Sequence, residues 1–585
     1  MKLSDYIVEF LADKGIDTVF GYIGGAITHL VDSIDRNKRV RFIQTYHEQT
    51  AAFAAEGYAR ISGRPGVAIA TSGPGATNLI TGIGDAFFDS VPVVFLTGQV
   101  NSYEYKHDKN IRQQGFQETD IVSIVRPITK YAVMIKDPQD IRLEMEKAFH
   151  IATEGRPGPV LLDIPMDIFR ASIEPVELSG FDVPLPARRD DSGKILEVQS
   201  LLACSHRPVL LAGGGAINAG GQKALAAFAG ATGIPIVASL MGKGAFPEDD
   251  PQFIGMIGSY GNRCANLTLA NADLLLAVGS RLDTRQTGPL IQGFIRSGKI
   301  VHVDIDANET DEHRIPNKLN VCMDAKVFLE SLLRVGSAYR VEAEWKAYVE
   351  RLCREYSQVA EVARFVENKL PYLAVDIFNQ LYDSDRLYFV DIGQNQMWAA
   401  QMLRICGKQR FLTSGGMAPM GYAISAAVGA AFSPTDRRNI VVITGDGGFQ
   451  IATQALLLLS QYRLPIKIVV LNNQCLGMIT QFQDLYFNEN KAGTTKESGY
   501  LVPNIELLAK AYSLDYHLIT EDRIMDDAWL HGVFDEPAPA IIEILVGEST
   551  VVSPKLEYNS PLEDETPKLP REELNNLMLI DPYEP

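Results

Sequence analysis

Two stretches of this chain repeat one pattern, and that pattern leaves little freedom in how the chain folds. Thr71–Gly75 reads T-S-G-P-G, followed by a helix-like segment, Val91-Pro92 and the apolar run V-V-F-L. Thr444–Gly448 reads T-G-D-G-G, followed by a second such segment, Leu464-Pro465 and the run I-K-I-V-V-L. Gly75 to Pro92 and Gly448 to Pro465 each span 17 positions. A glycine turn, a helix, a proline that cannot continue it and a short apolar run describe a turn–helix–strand unit. Internal duplication would account for the shared spacing. Further runs at Val160–Ile164 and Pro208–Ala212 also alternate with helical segments. The pattern therefore predicts an α/β chain of doubly wound, parallel-sheet domains.

The length of 585 residues gives room for about three to four domains. Two Pro-containing, charged stretches divide the chain into thirds. The expected units are 1–170, a linker 171–194, 195–335, a helical linker 336–370, 371–550, and a tail 551–585. The Pro- and acid-rich tail is expected to wrap a neighbour or to order over a site.

Acidic residues outnumber basic ones, 72 to 54, and no basic stripe interrupts them, so nucleic acid is excluded as a partner. Cys204, Cys264, Cys322, Cys353, Cys406 and Cys475 are scattered without a C-x-x-C pair, which points to reduced thiols in a cytoplasmic protein. The first residues form an amphipathic pattern interrupted by charges, unlike a signal peptide. No apolar run reaches membrane-spanning length, so no membrane is expected.

The chemistry concentrates between Thr444 and Gly477. Asp446 and Asn473 stand 27 positions apart, separated by a turn, a helix, Pro465, a strand and a second turn. Both oxygen-bearing side chains can therefore return to one sheet edge, where a hard divalent cation such as Mg²⁺ would find oxygen ligands. Gly445, Gly447 and Gly448 leave backbone N–H groups open at a helix start, a cradle suited to a diphosphate. G-D-G alone is an ordinary turn. Combined with N-N after a buried strand, it resembles the thiamin diphosphate (ThDP) binding motif. ThDP chemistry also requires a carboxyl group at the pyrimidine ring, and Glu48 in T-Y-H-E-Q-T, just before an Ala-rich helix pattern, is the candidate.

The resemblance extends over nearly the whole chain. G-Y-I-G-G-A-I (Gly21–Ile27), Y-H-E (Tyr46–Glu48), A-T-S-G-P-G-A-T-N-L-I-T-G (Ala70–Gly82), G-R-P-G-P-V-L-L-D-I-P (Gly155–Pro165) and D-I-G-Q-N-Q-M-W-A-A-Q (Asp391–Gln401) resemble the catalytic subunit of the acetohydroxyacid synthase (acetolactate synthase) family. That family implies a pyrimidine-binding domain, a central FAD-binding, Rossmann-like domain and a diphosphate-binding domain. It also implies a homodimer or homotetramer in which two subunits share each active site, and a small regulatory subunit is possible in such a family.

By this resemblance Glu48 activates the coenzyme, with Gly24, Pro74 and Asn78 around the pyrimidine. Gln394, Asn395, Gly445, Gly447, Gly448, Gly477 and Met478 surround the diphosphate. Asp446, Asn473 and the carbonyl of Cys475 ligate Mg²⁺. Met420 wedges the coenzyme into a bent form, and the backbone at Ala418 meets the aminopyrimidine. Phe116 and Gln117 line the substrate pocket from the neighbouring subunit.

A structural FAD would be held by Gly213, Gly214 and Gly215, by Ser239, Leu240 and Met241, and by Arg281, Arg285, Asp304 and Asp306. Arg285 would also approach the substrate.

The implied reaction decarboxylates pyruvate and transfers the two-carbon unit to a second carbonyl. Three positions depart from the family pattern. Phe482 replaces the usual Trp that helps select the acceptor, Met166 replaces a Lys, and Tyr260 replaces a His. A roomier, less cationic site leaves the keto group of a nucleotide-linked sugar as an alternative acceptor. A simple 2-oxo acid decarboxylase or oxidase is a second alternative, disfavoured by the absence of an adjacent His pair. A degenerate, non-catalytic scaffold is a third, disfavoured by the intact Glu48, Asp446 and Asn473.

Overall fold

The computed structural model describes residues 1–583 except 185–190, 192, 317, 336–338, 382, 384, 435–438 and 522. Parts of the expected linkers, 185–190 with 192 and 336–338, therefore lie outside the described residues.

Three sheets, each of six parallel strands among the described residues, follow one another along the chain. The first contains β1 (Thr18–Tyr22), β2 (Arg41–Gln44), β3 (Gly66–Ala70), β4 (Val93–Gln99), β5 (Tyr131–Met134) and β6 (Val160–Pro165). The second contains β7 (Pro208–Ala212), β8 (Ile236–Ala238), β9 (Phe253–Met256), β10 (Leu274–Val278), β11 (Lys299–Asp304) and β12 (Leu319–Cys322). The third contains β13 (Leu387–Val390), β14 (Arg410–Leu412), β15 (Ile440–Gly445), β16 (Ile466–Asn472), β17 (Asp515–Ile519) and β18 (Ala540–Leu545). The central strands are apolar and buried on both faces, as helices covering both sides of a parallel sheet require.

The first sheet runs β2-β1-β3-β4-β6-β5 and the third β14-β13-β15-β16-β18-β17, the same order when each is counted from its own first strand. The T-S-G-P-G and T-G-D-G-G turns leave equivalent strands, β3 and β15, so the repeat in sequence is also a repeat in topology. The halves pack through helix Glu48–Ser62 and helix Tyr422–Ala431. A Cβ on Gly57 would fall 1.9 Å from the Ala426 carbonyl oxygen, and one on Gly429 would fall 1.8 Å from that of Ala54. Each helix thus uses a glycine to admit the other's backbone.

The second sheet runs β12-β11-β10-β7-β8-β9, the doubly wound order that leaves a crevice between β7 and β10. The tail packs on this domain within its own chain. Leu556, Leu562, Leu569, Leu574 and Leu577 are buried in the same cluster as Val209, Leu275 and Ala277. None of the helices among the described residues is long and apolar enough to cross a membrane.

Candidate active site

Glu48 opens its helix directly after His47, whose ring accepts the Gln49 N–H at 3.1 Å and caps the first turn. The Glu48 carboxyl is buried, and its Oε2 accepts from Asn78 Nδ2 at 3.0 Å. Pro74 starts the short helix Pro74–Asn78, so the T-S-G-P-G turn delivers Asn78 to the carboxylate. Gly24 lies against Thr71, and Gly73 lies against Gln117, whose backbone has a left-handed φ of 64°. These groups gather at the carboxyl ends of β1 and β3, the edge at which open α/β sheets bind ligands. Phe116 beside them is 85% exposed.

The second patch lies at the carboxyl ends of β15 and β16. Asp446 is buried, and its Oδ2 accepts the N–H groups of Asn473 at 3.0 Å and Gln474 at 2.9 Å, while Oδ1 accepts the Tyr500 hydroxyl. Burial raises its pKa, against the pull of these hydrogen bonds. The Asn473 side-chain oxygen lies 3.1 Å from Asp446 Oδ2 and 2.8 Å from the Cys475 carbonyl oxygen. Only the Cys475 N–H, at 3.4 Å, donates to it among the described residues. Three oxygens facing one another lack positive charge between them, which a rotated amide would supply with hydrogens and a divalent cation with its charge. An all-oxygen donor set of this kind suits Mg²⁺. The Cys475 carbonyl faces the site while its thiol, pushed up to about 11 by burial, turns toward the Glu548 carbonyl.

Gly447 and Gly448 occupy the first turn of helix Asp446–Ile451. A Cβ on Gly447 would meet Met420 Cε at 2.8 Å and the Tyr500 hydroxyl at 3.0 Å, and one on Gly448 would meet Thr444 Oγ1 at 2.8 Å. The bare backbone is therefore required where a diphosphate would approach. Gln394 Oε1 accepts from Thr550 Oγ1 at 2.7 Å and Asn473 Nδ2 at 3.2 Å, and a Cβ on Gly477 would strike that oxygen. Asn395 Nδ2 donates to the Asp391 carbonyl at 2.6 Å, with its Oδ1 directed at Gly445. Met478 follows Gly477 and packs on the C-terminal core. Ala418, with φ 56°, donates its N–H to Ser414 Oγ at 2.9 Å. Left-handed, non-glycine backbone at Gln117, Ala418 and Gln474 places local strain at both patches.

A cavity of 710 Å³ opens at the β7/β10 crevice, where all three domains meet. Gly214, Gly215, Ser239, Leu240, Met241, Arg281, Arg285 and Asp304 line it. Gly213 and Asp306 stand behind the wall. Gly213 abuts Gly279 too closely for a Cβ, and Asp306 pairs with Arg156 at 3.8 Å. Glycine turns at a switch point beside a cavity of this size suit a dinucleotide. The Arg285 guanidinium stacks over Tyr260 at 5.5 Å. Phe482 belongs to an aromatic cluster with Tyr486, Phe487 and Tyr558, and Met166 opens the short helix after β6. Tyr500 and Thr550 escape sequence reasoning, because a lone Tyr and a lone Thr in loops carry no motif.

The chain matches the model of the thiamine pyrophosphate enzyme N-terminal TPP binding domain at residues 1–124, the central domain at 195–332 and the C-terminal TPP binding domain at 391–544. The chloroplastic acetolactate synthase of Arabidopsis thaliana is 36% identical over 575 residues, covering 96% of this chain and 84% of that protein. Chloroplastic acetolactate synthase 2 of Nicotiana tabacum is 36% identical over 577 residues, covering 96% and 85%. Chloroplastic acetolactate synthase 1 of Oryza sativa subsp. japonica is likewise 36% identical, covering 96% and 87%.

Proposed function

Since the chain belongs to the acetolactate synthase family of thiamine pyrophosphate enzymes, we propose that it decarboxylates pyruvate and joins the two-carbon unit to a second 2-oxo acid. The observation that carries this reading is the set of facing oxygens from Asp446, Asn473 and Cys475, beside a turn that tolerates no Cβ. When bound, thiamin diphosphate supplies the electron sink that decarboxylation needs.

The residues around it divide the remaining work. Asp446, Asn473 and the Cys475 carbonyl would hold Mg²⁺, and Gln394, Gly447 and Gly448 would receive the diphosphate. Glu48 holds the proton shared with the pyrimidine, its carboxylate oriented by Asn78. Met420, reaching over Gly447, would pack against the coenzyme. The 85% exposed Phe116 at the Glu48 patch supports a homodimer whose sites each combine two chains. Phe116 and Gln117 then complete the neighbour's pocket from an exposed loop. The β7/β10 cavity would hold FAD, with the open backbone at Gly214 and Gly215 available to its phosphates. Free cysteines support a reducing, cytoplasmic setting.

Incubating the purified protein with pyruvate, thiamin diphosphate and Mg²⁺ and identifying the products by mass spectrometry tests the reading. Acetolactate is expected. Acetaldehyde or acetate without a carbon–carbon coupled product would overturn it.

A further inference from the structure

The tail carries a buried lysine that none of the roles above employs. Lys555 is 5% exposed, and its Nζ has no hydrogen-bond partner among the described residues. Three rings surround it instead, with centroids at 5.8 Å (Phe482), 5.9 Å (Tyr486) and 6.0 Å (Tyr260). Cation–π attraction at such distances offsets part of the desolvation of an ammonium group, but it does not replace a hydrogen-bond acceptor. Glu557 is the acidic group that bears on Lys555, and its carboxylate already accepts the Thr566 hydroxyl.

The position is built rather than incidental. Lys555 N–H donates to the Thr566 carbonyl at 2.9 Å, the Thr566 N–H returns the bond at 2.8 Å, and the Leu556 N–H donates to Ser259 at 2.8 Å. Three residues earlier, Val552 exchanges hydrogen bonds with the Gln481 side chain at 2.9 and 3.0 Å. Gln481 also accepts from Gln394, the residue joined to Asn473. Lys555 is thus tied to the candidate metal loop on one side. On the other side it shares the Tyr260 ring with Arg285, and both Tyr260 and Arg285 line the cavity. Two cations therefore converge on one ring at the seam between the cavity and the coenzyme-tail patch.

We propose that Lys555 is a specificity residue whose ammonium group receives the carboxylate of the acceptor 2-oxo acid as it enters past Phe482. Burial lowers the pKa of Lys555, and an incoming carboxylate would restore the charged form. The proposal rests on the carboligase reading. A protein that forms no acetolactate from pyruvate defeats that reading, whereas the discrimination measured next concerns Lys555 alone.

Pyruvate and methyl pyruvate can compete as acceptors with pyruvate as donor, because the ester lacks the free carboxylate and serves only as an acceptor. The ratio of acetolactate to ester-coupled product is read per turnover and does not depend on the fraction of enzyme that is folded. Lys555→Met should shift that ratio toward the ester by about ten- to a hundredfold, and Lys555→Arg should retain most of the wild-type preference. Should the methionine variant not fold, Lys555→Gln gives the same reading. A ratio unchanged in the neutral variant, or a wild type that accepts ester and acid equally, would overturn the proposal.

Discussion

Asn78 Nδ2 donates to Glu48 Oε2 at 3.0 Å, joining the end of the helix after the T-S-G-P-G turn to the start of helix Glu48–Ser62. The bond fixes the carboxylate while leaving Oε1 near Gly75, where a Cβ would approach it to 3.2 Å. Glu48→Gln keeps the shape but cannot exchange a proton with the pyrimidine. Its turnover should fall by about 10²–10⁴-fold while thiamin diphosphate still co-purifies. Asn78→Ala should lower turnover less, since the proton carrier remains. Undiminished acetolactate formation by Glu48→Gln would remove the assigned role.

The facing oxygens at Asp446, Asn473 and Cys475 lead to a metal prediction. Asp446→Ala should lose Mg²⁺-dependent retention of thiamin diphosphate on gel filtration. Tyr500→Phe removes only the hydroxyl that orients Asp446, so affinity should fall by about 10–100-fold. Equal retention with and without chelator in the wild type would show that no divalent ion anchors the coenzyme at this loop.

What could be read in advance follows physical locality. The T-S-G-P-G and T-G-D-G-G turns are legible because glycine and proline punctuate the chain within a few residues, and the turn–helix–strand unit they predict recurs in both outer sheets. Tyr500 is not legible, since it meets Asp446 across 54 residues and belongs to no pattern. Nothing local marks Glu56 either: it is fully buried and paired with Arg60 at 2.7 Å, because helix Tyr422–Ala431 covers that face. The sequence leaves the tail to wrap a neighbour or to order over a site, and only the structure shows its leucines packing on the central domain.

The reciprocal glycines make the helix crossing sensitive to one methyl group. In Gly57→Ala the new Cβ would lie 1.9 Å from the Ala426 carbonyl oxygen, with backbone rather than a movable side chain in the way. The helices must separate, at a cost of about 1–3 kcal/mol or more. A melting temperature several degrees lower is expected, with Gly429→Ala behaving alike. Unchanged melting in both variants would mean that the crossing is looser than its geometry.

Glu565 offers a pH test of how the tail docks. Its Oε1 accepts from Asn266 Nδ2 at 2.7 Å, while its Oε2 is buried without a hydrogen-bond partner among the described residues. Burial first, with the neighbouring Glu361 adding, raises its pKa from 4.5 to about 8 against the attraction of Arg263. Arg263 is itself bound twice by Glu361, at 2.8 and 2.9 Å, so it neutralises Glu565 poorly. The docked tail therefore holds a proton that the undocked tail releases near pH 4.5. This favours docking fully below that pH, and the advantage is lost as pH rises toward 8. Hydrogen exchange of residues 555–577 should accelerate over that interval in the wild type, by an amount on the order of a few kcal/mol in opening free energy. Glu565→Gln, permanently neutral and able to keep the Asn266 bond, should flatten the dependence. The same acceleration in the variant would assign it to another group.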